Sequence, residues 1–438
     1  MKIPARILVP VIFALLCAGA LIAFLWWQLI SSSRAVQRQP SQTDTAQELL
    51  AGSGSAPVTL SPADSRDQAL LHLREGDLFA VRGEWVEAAK AYERAVAFDG
   101  GLPALRKLAV AQLQRRDMGS LQETIRKLKA AGARPEDVAM IENIVLLRTG
   151  ELTTARKRLE EAADSPQKHY GLALLSMIEG NHGGAQQELS LVTIGWEPVL
   201  RTNARTLLGA YEEFALFPES TDLHLITLLS RALAQVQECE LALPLLAQVT
   251  REKEDYRDAW IVQGYCELTT ERPQQALASL ERAYNLNPEK PEIQYFLARA
   301  HAALNQHDNA ITFLEYALQN GFTPKSELRR LIASEALKKG DAAAALGQYK
   351  ALVEEPDATI EAFEGAVSTA LALERKEEAI VLAKLATERL PESARAFDLL
   401  GWTYIEAGKK EEARAALTKA LTIDPYLLSA KDRLEKLK

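Results

Sequence analysis

The sequence is short of most things that carry chemistry. It has three cysteines in 438 residues, Cys17, Cys239 and Cys266, and no C-x-x-C pair. That excludes a zinc ribbon and a thioredoxin-like redox site. The six histidines are scattered, and His301 and His307 are six apart, on different faces of a helix. No metal site, cofactor or enzyme activity is expected: G-x-x-x-x-G-K-[ST], H-E-x-x-H and G-x-S-x-G are all missing. Aromatics make up only 6%, while Ala and Leu are abundant, a balance that favours helices over strands. Positive charge is also in deficit. The net charge is −8, which argues against nucleic acid as a partner.

The one long run without charge lies at the N-terminus. Lys2 and Arg6 precede 24 uncharged residues, Ile7–Ile30, closed by Trp26 and Trp27 near the far end. As a helix this run is long enough to cross a bilayer, with the tryptophans at the interface. Residues 1–30 are therefore expected to be an uncleaved transmembrane signal-anchor. A cleaved signal peptide is the competing reading, through the small residues Ala18–Ala20, but the apolar run continues ten residues beyond them. The expected location is the inner (cytoplasmic) membrane, single-pass, with a periplasmic or extracytoplasmic body. Residues 31–68, rich in Ser, Gln, Pro and Gly, are expected to be a disordered linker.

The remainder of the chain is repetitive. With Ala394 as position 1, Phe397 is 4, Leu400 is 7, Gly401 is 8, Tyr404 is 11, Ala413 is 20, Leu417 is 24, Ala420 is 27 and Pro425 is 32. Positions 4, 7 and 11 share one helical face, and 20, 24 and 27 share another. Small residues at 8 and 20 allow close helix approach. Gly408 supplies a helix stop and Pro425 ends the second helix. The same frame starts at 257, 291, 325 and 360, so successive starts are 34, 34, 35 and 34 residues apart. In the unit from Lys325 this frame puts Ala344 and Ala351 at the packing positions. Weaker units start at Ala69, near Pro103, and at Glu136, Pro166 and Leu223, for about ten in all.

This pattern resembles the tetratricopeptide repeat (TPR) at its signature positions. The resemblance implies an all-α fold, an α-solenoid of helix-turn-helix repeats wound as a right-handed superhelix, preceded here by one transmembrane helix. The expected organisation is degenerate units over 69–196, an extra helix and hinge loop over 197–222, a C-terminal array over 223–427 and a capping helix over 428–438.

TPR solenoids bind along a concave face lined by first-helix positions 2, 5, 9, 12 and 13, which implies protein or peptide partners. Those positions yield an apolar stripe of Met140, Ile144, Leu147, Leu174, Met177 and Ile178. It would take a partner helix, unless a tightly wound superhelix or the linker covers it. They also yield a basic and aromatic groove of Arg231, Tyr265, Tyr295, Arg299, Arg329 and Trp402, with Arg330 beside it. Such residues favour peptide recognition. Cys239 and Cys266 fall toward one end of the array, where a disulfide is conceivable, but two free, half-buried thiols are expected. The function expected is a membrane-anchored scaffold assembling or recruiting components of a bacterial envelope process. The alternatives are a carbohydrate-binding component of polysaccharide export, with Tyr265, Tyr295 and Trp402 stacking on sugar rings, or a self-associating structural scaffold.

Overall fold

The structure, a computed structural model, describes residues 62–81, 84–195 and 197–437. The expected membrane segment and most of the linker lie outside the described residues. None of the described helices is long and apolar enough to cross a membrane. All secondary structure among the described residues is helical. Two compact units are present, one running to Lys253 and the other from Glu254 to Lys438.

In the first unit the helices are α1 (Pro62–Val81), α2 (Trp85–Ala97), α3 (Gly101–Gln114), α4 (Met118–Ala130), α5 (Pro135–Arg148), α6 (Leu152–Glu161), α7 (Pro166–Ile178), α8 (His182–Ile194), α9 (Pro198–Ala215), α10 (Asp222–Gln235) and α11 (Cys239–Glu252). The linker expected to reach residue 68 ends earlier, because α1 already begins at Pro62. Proline suits the first helical turn, where its missing N–H has no partner to lose. Pro135, Pro166 and Pro198 open α5, α7 and α9 in the same way. Side-chain caps start others: Asp117 accepts from Ser120 N, and Asn181 from Gly184 N, both at 3.1 Å. The glycine-rich stretch at 180–184 is thus a turn plus the first residues of α8. The segment 197–222 forms α9 and a short loop, with α9 packed between α8 and α10 inside the first unit.

The second unit holds α12 (Arg257–Thr269), α13 (Pro273–Leu286), α14 (Pro291–Ala303), α15 (His307–Gln319), α16 (Lys325–Lys339), α17 (Ala342–Val353), α18 (Ile360–Ala372), α19 (Lys376–Arg389), α20 (Ala394–Glu406), α21 (Lys410–Ile423) and α22 (Leu428–Lys436). Each helix packs on the next. The small residues act as their spacing requires. A Cβ at Gly264 would lie 2.5 Å from Leu280 Cγ, and one at Gly401 would lie 2.6 Å from Leu417 Cγ, so any larger residue would push the two helices of a pair apart. Ala413, Leu417 and Ala420 are buried against them. Gly408 turns the chain at φ 73° between α20 and α21.

Two expectations do not hold. In the unit read from Lys325, Ala344 is exposed and Ala351 only half-buried, while Ala345 and Leu352 are buried. On α16, besides Glu327, Leu328 and Glu335, the buried residues are Ile332, Ala333 and Ala336. These are positions 7, 8 and 11 of a frame starting at 326, so the extra residue lies before α16 and not after α17. It sits in the turn where Phe322 is buried and Pro324 precedes the helix. The second correction concerns the thiols. Cys239 and Cys266 are both disulfide-bonded, and both are wholly buried.

Candidate functional site

The frame correction rearranges the expected groove. Counting from 326 places Glu327 at position 2 and Arg330 at position 5, leaving Arg329 at position 4. Arg330 Nη2 donates to Glu327 Oε2 at 3.4 Å. Tyr295 Oη donates to Glu327 Oε1 at 3.5 Å. Arg329 turns the other way, donating to Gln348 Oε1 at 3.3 Å, with Glu355 3.9 Å from its Nε.

Tyr295 and Tyr265 hold the face together from beneath. Tyr295 is 2% exposed and stacks on Phe322, ring centroids 4.6 Å apart. Tyr265 is 4% exposed and meets Phe296 edge-on at 5.5 Å, and Phe296 in turn meets Tyr295 at 5.4 Å. Burial pushes the Tyr295 phenol above its ordinary range, against the opposing effect of Arg299. Both tyrosines are therefore supports of the groove floor. Arg299 lies over the Tyr295 ring, 5.9 Å from its centroid, a cation–π contact.

Most charges along this face neutralise one another. Arg395 bridges Glu361 at 2.8 Å and Glu364 at 2.6 Å. Arg433 pairs with Asp398, and Arg330 with Glu327. Among the described residues Arg299 forms no ion pair. Its guanidinium is half-buried over the Tyr295 ring and also hydrogen-bonds that tyrosine's side chain. Along this face Arg395, Arg433 and Arg330 are thus paired with carboxylates, Arg330 only loosely, and Arg299 is not.

Trp402 is at the other end of this row. Its Nε1 donates to Glu406 Oε1 at 3.2 Å, and Arg433 from α22 covers its ring at 5.3 Å. Arg231 lies in the first unit, paired with Glu213. Sequence reasoning missed Glu327, Phe322, Asp398 and Arg433. Glu327 and Asp398 were findable, since they occupy positions 2 and 5 once the frame is set.

The apolar stripe is largely closed. Leu147, Leu174 and Met177 are each 1% exposed or less, and Met140, Ile144 and Ile178 are half-buried. Arg148, next to Leu147, forms a buried pair with Glu238 just before α11, and Arg116 pairs with Glu240 at 2.6 Å. These contacts hold the ends of α3 and α5 against the start of α11.

Paired antiparallel helices, spaced by small residues and presenting a lined inner face, define an α-helical repeat protein of the solenoid class. Tetratricopeptide-repeat models match residues 227–286, 267–334 and 394–426. The chain carries tetratricopeptide repeats, and such repeats imply a protein-protein interaction scaffold. No curated protein matches it in sequence. Among solved structures it is similar to YrrB, described as a TPR protein with an unusual peptide-binding site, at 22% identity, covering 43% of this chain and 97% of that one with a TM-score of 0.35. PilW, described as a type IV pilus biogenesis factor, aligns at 16% identity over 49% of this chain and 99% of its own, TM-score 0.36. Yeast Tom70 aligns at 14% over 84% and 95%, TM-score 0.31. Likeness at this level does not bear on what the chain binds.

Proposed function

We propose that the protein is a membrane-anchored TPR scaffold. Its folded body lies on the extracytoplasmic side and recruits or assembles protein components of a bacterial envelope process. The uncharged run Ile7–Ile30 behind the basic residues Lys2 and Arg6 supports the anchor and its orientation. The partner engages the inner face of the second unit with a carboxylate-bearing segment, at Arg299 and Arg330. One observation carries this: among the described residues Arg299 is a guanidinium outside any ion pair, on a face where Arg330, Arg395 and Arg433 are each paired with a carboxylate. A charge-assisted bond there gains more than a bond elsewhere on the face, where an existing ion pair must first be broken.

The carbohydrate reading loses two of its three residues, because Tyr265 and Tyr295 are buried and have no ring face to offer a sugar. The test is in-cell photo-crosslinking from position 292, at position 2 of the same unit, with the exposed position 384 of α19 as the control. A protein adduct is expected from 292 that disappears in Arg299→Glu. Equal capture from both positions, or capture from 292 that survives Arg299→Glu, would sink the proposal. A reporter fused after Lys438 checks the orientation, and activity in the cytoplasm would overturn it.

A further inference from the structure

The last inner-face residues of the second unit form a site with different chemistry. Asp398 on α20 is 6% exposed. Its Oδ2 accepts two donors, Ser429 Oγ at 2.7 Å and Arg433 Nη1. Its Oδ1 is buried and has no hydrogen-bond partner. One turn further along, Trp402 carries the guanidinium of Arg433 over its ring at 5.3 Å. A carboxylate beside an indole face is a receptor for arginine, combining an ion pair with a cation–π contact.

The present occupant fits this receptor imperfectly. A guanidinium fork matches a carboxylate best through two parallel bonds. Arg433 reaches one oxygen only, and the orphaned Oδ1 is the sort of buried acceptor whose missing bond costs stability. The helix that delivers Arg433 is short and packs through Ala430 and Leu434 on Leu417 and Ala420. α22 has nine residues, of which only Ala430 is buried, and Tyr426 and Leu428 beside it are 83% and 71% exposed.

We propose that Asp398 and Trp402 form an arginine-recognition site for a partner protein, occupied in cis by Arg433 of α22 until that partner displaces it. The occupant is an arginine-bearing helical segment that uses both carboxylate oxygens. A second copy's α22 fits less well, since exchanging identical helices recreates the single-oxygen contact and leaves Oδ1 unpaired. The inference goes beyond the Arg299 site and does not depend on it: the two sites recognise opposite charges.

The test uses the full-length protein and an alanine-based helical peptide carrying one arginine. Binding is followed by isothermal titration, and a citrulline peptide serves as the neutral isostere. Arg433→Ala is expected to bind the arginine peptide at least tenfold more tightly than the wild type. The citrulline peptide should not bind, and Asp398→Asn in the same background should abolish the gain. Should Arg433→Ala fail to fold, Arg433→Met keeps an apolar stem on Trp402 and must show the same gain. Equal binding to wild type and variant, or equal binding of arginine and citrulline, would overturn the proposal. So would dimerisation of the variant in place of peptide binding. Arg299→Ala should leave this binding unchanged, which separates failure here from failure at the other site.

Discussion

Arg148 Nε donates to Glu238 Oε2 at 2.8 Å, and Nη2 to Oε1 at 3.2 Å, between residues 90 positions apart in the chain. Both side chains are buried, at 2% and 6% exposure. The guanidinium also donates to the carbonyls of Leu113 and Gln237. Burial opposes the charge on Arg148, but the Glu238 carboxylate outweighs it and holds the guanidinium above its ordinary range. The pair is a staple closing the first unit.

Removing half of such a pair strands a buried charge. Arg148→Ala is expected to cost about 3–5 kcal/mol, and Arg148→Lys nearly as much because lysine lacks the fork. Arg148→Met with Glu238→Leu should cost much less than the single changes suggest. Native-state hydrogen exchange in α5 and α11 measures this locally. Full protection of α11 in Arg148→Ala would show that the staple does not close the unit.

At Gly401 the limiting contact is Leu417, 2.6 Å from where a Cβ would sit. Gly401→Ala should destabilise by about 1–3 kcal/mol through overpacking. Adding Leu417→Ala should recover part of that loss, so the two changes are less than additive. Strict additivity in denaturant unfolding would mean that the two side chains do not limit each other.

The corrected frame separates two adjacent alanines. Ala345 is buried at 0% exposure, whereas Ala344 is exposed. Ala345→Leu should therefore lose about 1–3 kcal/mol, and Ala344→Leu should stay within about 0.5 kcal/mol of wild type. Thermal melts of the two variants decide between the frames, since a start at 325 requires the opposite order.

Glu267 bears on pH dependence. Burial raises its pKa, against the lowering effects of its bonds to Ser279 and Gln263 and of nearby Arg272. A raised folded-state pKa means that the folded protein binds its proton more tightly than the unfolded chain. This group therefore favours folding at pH below the ordinary carboxylate range, and the contribution is lost as pH rises through the folded-state value. Glu267→Gln should stabilise the second unit at neutral pH, and the gain should vanish in acid. A stability difference independent of pH between about 3 and 8, a range set around the carboxylate pKa values, would contradict this.

Repetition along one chain is enough to determine much of this protein. Apolar positions three and four apart specify amphipathic helices, and a small residue at each close approach specifies their pairing. Thus Gly264, Gly401, Ala413 and Leu417 were legible, as was the capping helix, found at Leu428–Lys436. Such signals are local, repeated in unit after unit, and need no knowledge of distant contacts. Tertiary structure decided the rest. It moved the frame to 326, because which of two adjacent alanines faces inward depends on a turn whose path no periodicity encodes. It buried Leu174 and Met177 and joined Arg148 to Glu238 across 90 residues. It turned Tyr295 from a contact residue into a floor and covered Trp402 with Arg433, because the next helix fills the space that a single helix face leaves open. Position in a repeat determines direction, and only the packed neighbours determine what a side chain pointing that way will touch.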